Sequence, residues 1–226
     1  MDREAFLTSL SQNTLRQSLL RHPFFDHVMA EPLSRDQVAA FLGQYWYPIS
    51  YFPEFLARTV ALLPTTELKT AISKILYQEL GEGEIEKAHE NLYRDTMVEA
   101  GFAEAAVVAA PMTEPTRRLM EGYRRSTERF QSALGFVYGT EIIDMRIVSG
   151  LGAAVTKASG KETLPWVEIH VEQEPEHVRK ARHAVRLDFS NEDMAEIVAN
   201  AEEIWGLWDG FFSGLLAGWT AEQKAA

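Results

Sequence analysis

The C-terminal segment sets the tightest constraint on the fold. Met194, Ile197, Val198, Ala201, Ile204, Trp205, Trp208, Phe211, Phe212 and Leu215 recur at three- and four-residue offsets. A helix opened by Ser190 as its cap therefore carries an apolar stripe too broad to stay in water, and it must be buried against other helices. The same helical period runs through nearly the whole chain and no stretch alternates as a strand does, so the fold class is all-α. Residues 3–20 read as a first helix, followed by a short piece around PFFDHV. Ser34 with Gln37 forms a capping box for a long helix to about Leu56, which Pro48 and Pro53 should kink. Further helices are expected from about Glu67 to Leu80, from His89 to near Gly101, from a Thr113 cap to Arg125, and from about 126 past Glu141 to Leu151. Gly81 and Gly83 should bend the chain, and GLGAAVTKASGKETLP reads as the most linker-like segment. At 226 residues and 46% hydrophobic the chain can bury one sizeable core, a single domain over residues 1–226.

Composition removes several function classes. A net charge of −11 argues against nucleic-acid or anionic-membrane partners, which are held by clustered Lys and Arg. The one basic run in sequence, Arg117, Arg118, Arg124 and Arg125, is interleaved with Glu114, Glu121 and Glu128 and reads as a solvated helix face. With no cysteine, disulfides, iron–sulfur clusters, zinc–thiolate sites and thiol nucleophiles are all excluded. The N-terminus lacks a basic start followed by an apolar core, and the apolar run 204–219 is short for a membrane span and contains Asp209, so the protein is expected in the cytoplasm.

A metal, if present, must use His, Asp and Glu. His170, Glu174 and His177 in EIHVEQEPEHVRKARHA lie at offsets of four and seven residues, on one helical stripe. Upstream stand Glu79, Glu82 and His89, and then Glu141, a carboxylate interrupting an otherwise apolar helix. Burying that carboxylate requires a cation or strong hydrogen bonds. Histidines and carboxylates gathered from several helices are how a bundle builds a two-iron centre. A single metal held by His170, Glu174 and His177 is the alternative. His22, His27 and His183 read as packed or exposed histidines. Tyr138, three residues before Glu141, is expected on the same side, and Tyr45, Phe52, Tyr138 and Met145 are expected to line a pocket in the bundle core.

At these residues the chain resembles the heme-oxygenase-like diiron oxidases and oxygenases, which share a helical scaffold with heme oxygenase and the TenA thiaminases. The family's early Glu and His, central Glu, and final His-x3-Asp/Glu-x2-His are matched here by Glu79, His89, Glu141, His170, Glu174 and His177. Glu174 stands where Asp is commoner. Glu79 precedes His89 by ten residues and Glu82 by seven, and both spacings occur in the family; the Gln-Glu-x-Gly-x-Gly context favours Glu79. Glu54, in the Tyr-Phe-Pro-Glu segment, is a candidate additional carboxylate.

The resemblance implies a bundle of about seven helices holding two Fe(II) per chain, with Mn as a substitute, and O2 as co-substrate. It implies that the six residues are both metal ligands and catalytic, with Glu79 and Glu141 bridging. Through a peroxo-diiron intermediate such an enzyme oxidises a small organic substrate, here an amino acid or amine, by N-oxygenation, desaturation or C–C cleavage. The product would serve a specialised biosynthetic pathway. An external electron donor and a homodimer are further expectations. A heme oxygenase would need an early proximal His and a basic patch, and a TenA thiaminase a cysteine; neither pattern is present. A binding module that kept the scaffold without catalysis is the remaining alternative. Because Pro175 removes a backbone donor, the helix carrying His170 and His177 should be irregular between them. Residues 165–182 should then order fully only with metal.

Overall fold

The structure, a computed structural model, describes residues 2–31 and 33–225. Among them are eleven α-helices, two short 3-10 turns and no strand. The helices are α1 (Arg3–Ser11), α2 (Thr14–Leu20), α3 (Pro23–Ala30), α4 (Arg35–Leu62), α5 (Thr66–Glu79), α6 (His89–Glu99), α7 (Glu104–Val108), α8 (Glu114–Ser126), α9 (Phe130–Ser159), α10 (Pro165–Ala184) and α11 (Asn191–Ala225). The count exceeds the expected seven because short helices stand where one helix or a loop was read. Asn13 caps α2 by accepting from the Leu15 amide, which splits the expected 3–20 helix in two. The five-residue α7 falls in a segment too short to show a period.

Local signals account for most boundaries. The Ser34–Gln37 capping box opens α4 with both reciprocal hydrogen bonds in place. Ser190 Oγ accepts from the Asp193 amide at 3.1 Å, and the Asp193 carboxylate accepts from the Ser190 amide in return. All ten stripe positions of α11 are buried, and they lie mainly against α9.

Two expectations fail. The linker-like segment is helical: α9 runs on to Ser159 and ends at Gly160 in the left-handed conformation. Gly150 and Gly152 do not break it because they are contact points; a β-carbon at Gly150 would sit 3.0 Å from Phe25, and one at Gly152 3.3 Å from Val167. Likewise α10 is helical throughout, with Pro175 inside it. The proline removes one hydrogen bond, to the carbonyl of Val171, a residue 55% exposed, where water can replace it. In the same way α4 continues through Pro48 and Pro53. No helix of the described residues is long and apolar enough to cross a membrane.

Candidate metal centre

Four helices deliver the site. Glu79 ends α5, His89 opens α6, Glu141 sits midway along α9, and α10 presents His170, Glu174 and His177 on its inner face. The chain passes from Glu79 to His89 through two 3-10 turns, with Gly81 and Gly83 at φ 78° and 96°, a region that favours glycine. All six side chains belong to residues only 1–6% exposed.

They form two triads. In each, one ligand-type atom per residue lies within 4.8 Å of the others: Glu79, His89 and His170 in the first, Glu141, Glu174 and His177 in the second. The triads adjoin, with the His89 and His177 rings 6.3 Å apart and His177 Nδ1 3.8 Å from Glu79 Oε1.

The first triad is rich in imidazole, and its rings are held from outside. His170 Nδ1 donates to the Trp166 carbonyl at 2.8 Å, leaving Nε2 free to face inward. Burial and the neighbouring His89 lower its pKa to about 3, so the ring is neutral with a lone pair to offer. His89 Nε2 pairs with Gln173 Oε1 at 3.1 Å, and its Nδ1 lies 3.0 Å from Glu79 Oε2. Burial alone would raise the Glu79 pKa, but His89, His177 and His170 together bring it down to about 2.

The second triad is rich in carboxylate. His177 Nδ1 lies 3.5 Å from Glu141 Oε2, 3.6 Å from Glu174 Oε2 and 3.8 Å from Glu79 Oε1. Burial would lower its pKa, yet the ring of carboxylates raises it to about 11, so this imidazole carries a proton. Burial, with Asp144 and Glu141 close by, holds the Glu174 carboxyl well above the usual range. Asp144 is pushed up to about 7 by burial, Glu141 and Glu79. Two acidic groups sharing one dry site cannot both ionise cheaply without a cation.

The donor set fits a metal. His89 Nδ1, Glu141 Oε1, Glu174 Oε1 and His177 Nε2 are buried with no hydrogen-bond partner, as is Asp144 Oδ2. Buried polar atoms in a settled core are nearly always paired, so this convergence of orphans marks a place for an ion. Carboxylates with imidazoles suit Fe(II) or Mn(II).

Beside the triads is a cavity of about 30 Å³, walled by Tyr45, Phe52, Tyr123 and Trp208 and floored by Asp144 and five of the six residues, all but His89. Asp144 was not anticipated from sequence; Tyr45 Oη donates to its Oδ1 at 3.3 Å. Gln173, which orients His89, was also missed. Of the expected pocket residues, Tyr45 and Phe52 line this cavity, whereas Tyr138 and Met145 do not. Tyr138 instead packs edge-on against Trp205 and lines a separate cleft. Glu54 is exposed and paired with Arg58 at 2.7 Å, and Glu82 is 3.9 Å from Lys74, so neither joins the triads. His22 is packed and caps α3, His27 stacks near Trp219, and His183 is half exposed beside Glu67. Arg117, Arg118 and Arg125 are exposed and paired with Glu114 or Glu203.

A helical scaffold of this kind is found in solved structures. A CADD-like protein of unknown function from Nostoc punctiforme matches with a TM-score of 0.79 at 16% identity, over 96% of each chain. A domain of unknown function with a heme oxygenase-like fold from Shewanella denitrificans matches at 0.76 and 16%, over 100% of this chain and 97% of that one. A TenA homolog from Pseudomonas syringae matches at 0.73 and 11%, over 95% and 92%. Likeness at this identity shows the fold, which is heme-oxygenase-like. Residues 39–209 match the model of the iron-containing redox enzymes, and the chain belongs to that family. No protein of curated function matches it.

Proposed function

We propose that this protein is an O2-dependent non-heme diiron oxidoreductase acting on a small organic substrate. The observation that carries the reading is the pair of adjoining, buried triads, with unpartnered buried atoms on His89, Glu141, Glu174 and His177. Glu79, His89 and His170 would hold one iron, and Glu141, Glu174 and His177 the other. When bound, the two irons would supply the electrons that activate O2 for oxidation of the substrate.

The chain's own residues prepare that chemistry. The Trp166 carbonyl and Gln173 fix the two imidazoles of the first triad, so that His170 Nε2 and His89 Nδ1 point inward before any ion arrives. His177 and the Asp144–Glu174 pair hold the protons that a bound cation would displace. Tyr45, Phe52, Tyr123 and Trp208 keep bulk water from the centre. A cavity of about 30 Å³ accommodates a water or a diatomic gas but not an organic substrate, so side chains or the α10 segment must shift to admit one. Asp144 supports an amine or amino acid as that substrate: its Oδ2 is unpartnered, its neighbours include aromatic walls, and an ammonium group satisfies both. N-oxygenation, desaturation and C–C cleavage are the reactions in scope.

Anaerobic Fe(II) reconstitution, metal counting and rapid mixing with O2 test the reading. Two irons per chain and a transient visible absorption are expected. One iron per chain would favour a mononuclear centre. No uptake at all would leave a helical binding module and overturn the proposal.

A further inference from the structure

Away from the metal centre, α1, α2, α9 and α10 enclose a cleft of about 300 Å³, at the lower end of the roughly 300–1,000 Å³ typical of ligand pockets. Arg16 of α2, Arg182 of α10 and Arg186 of the turn that follows α10 line it, with Leu7 and Leu10 on its apolar side and the Tyr138 ring contributing from α9. Nine arginines elsewhere meet a carboxylate within 4.0 Å. These three form no ion pair among the described residues, although the chain carries eleven more negative than positive formal charges.

The arrangement is repulsive as it stands. Arg182 in the last turn of α10, Arg186 in the turn just past its end and Arg16 from α2 bring three cations to one cleft, where like charges oppose each other. Position near the C-terminus of α10 accounts for positive charge on that helix but not for Arg16 facing it. Arg16 Nη1 donates to the Ser11 carbonyl, while its Nε is shielded and unpaired. The Tyr138 hydroxyl has no hydrogen-bond partner among the described residues, and all three guanidiniums oppose the upward pull of burial on its pKa. A concave site with three converging forks, a free phenol and an apolar wall lacks only the anion that would neutralise it.

We infer that this cleft binds a small, multiply charged oxyanion, a phosphate group or a di- or tricarboxylate, independently of the metal centre. The guanidiniums would take its oxygens in bidentate pairs, Tyr138 would donate one hydrogen bond, and Leu7 and Leu10 would pack on any carbon skeleton attached.

Calorimetric titration of the full, metal-free chain with inorganic phosphate and, separately, with citrate tests this. Saturable one-to-one binding of at least one probe is expected, unmatched by KCl at equal ionic strength. Binding should weaken by about tenfold or more in Arg16→Gln and further in Arg182→Gln/Arg186→Gln, since each change removes charge-assisted hydrogen bonds. The exposed pair Arg117→Gln/Arg118→Gln is the control and should bind as the wild type does. Preference for phosphate or citrate identifies which oxyanion the cleft fits. Circular dichroism of the variants separates lost binding from lost fold, and a phosphate-dependent rise in melting temperature gives a second readout. No saturable heat with either probe overturns the inference, as does an equal loss in the control pair.

Discussion

The two triads use the same residue types and solve different problems. Glu79, His89 and His170 make a site with one carboxylate and two imidazoles, both rings tied to groups outside it. Glu141, Glu174 and His177 make a site with two carboxylates and one imidazole, next to a third carboxyl, Asp144. The first is pre-set for a metal by hydrogen bonds; the second is held together by a protonated imidazole standing in for one. Charge balance, more than ligand identity, distinguishes them. The carboxylate-rich triad should bind the harder ion and release more protons on doing so.

Replacing His177 with Ala breaks the contrast most severely. Loss of a ligand should cut metal affinity by about 10-fold or more and abolish turnover. The metal-free fold should suffer too. An empty polar site gains from losing a polar group, but here His177 lies within 3.8 Å of Glu79, Glu141 and Glu174, and removing one partner of a buried ionic cluster costs about 3 kcal/mol or more. Its pKa is raised from 6.5 to about 11, so its contribution is complete below pH 6.5 and fades as pH rises toward 11. The variant's deficit in melting temperature against wild type should therefore be largest below pH 6.5 and shrink as pH rises toward 11. A deficit independent of pH would show that His177 acts by packing alone, and retention of two metals with full activity would place it outside the coordination sphere.

The pH dependence of the wild type sharpens the comparison. Glu79, depressed to about 2, stabilises the metal-free protein above pH 4.5, and that contribution is lost as pH falls through 4.5 toward 2. Asp144, raised from 3.8 to about 7, works in the opposite sense, since stability falls as pH rises through that interval. The two windows overlap between 3.8 and 4.5, so on these two groups metal-free protein should be most stable at about pH 4, where the gain from Glu79 and the loss from Asp144 cancel. Metal affinity should climb with pH by about tenfold per unit for each proton displaced, and more steeply at the carboxylate-rich triad. Mn(II) titrations at several pH values measure this, and a flat profile would contradict a protonated His177.

Gln173→Leu probes the other triad. It strips the partner from His89 Nε2 while leaving every ligand in place, and affinity at the imidazole-rich triad should drop by about tenfold. The carboxylate-rich triad should be unaffected. Equal weakening of both would mean that Gln173 supports α10 as a whole and not the tautomer of His89.

These contrasts show which parts of the molecule were legible in the sequence. The α11 stripe was readable because burial follows from a period of 3.6 alone. The six triad residues were readable because ligand-type side chains stood at one-face spacing or interrupted apolar runs. Asp144 and Tyr138 show where such reading stops. Both lie three residues from Glu141, but positions three before and three after diverge by about 120° around a helix. One therefore reaches the cavity and the other turns toward Trp205 and the arginine cleft. Which side becomes which depends on how α9 is wedged between α10 and α11, a tertiary fact with no local signature. Gln173 was hidden for the same reason: on α10 it looks like a solvated neighbour of Glu174, and only the approach of α6 gives it work.

The mildest perturbation, Tyr45→Phe, separates Asp144 from the two triads it adjoins. The tyrosine hydroxyl donates to Asp144 Oδ1 at 3.3 Å, a long hydrogen bond, and the ring packs against Trp166 and Trp208. Phenylalanine keeps the packing and removes only the donor, so the loss of stability should be about 1 kcal/mol or less. With Oδ1 unpaired, the charged form of Asp144 loses support and its pKa should rise further above the ordinary carboxylate range. Metal stoichiometry should stay at the wild-type value, because no triad residue changes. If Asp144 receives the substrate's ammonium group, the variant should weaken substrate binding while leaving metal affinity unchanged. A parallel loss of metal would instead make Asp144 a member of the carboxylate-rich site, which would then hold its ion with three carboxylates against the single one of its neighbour.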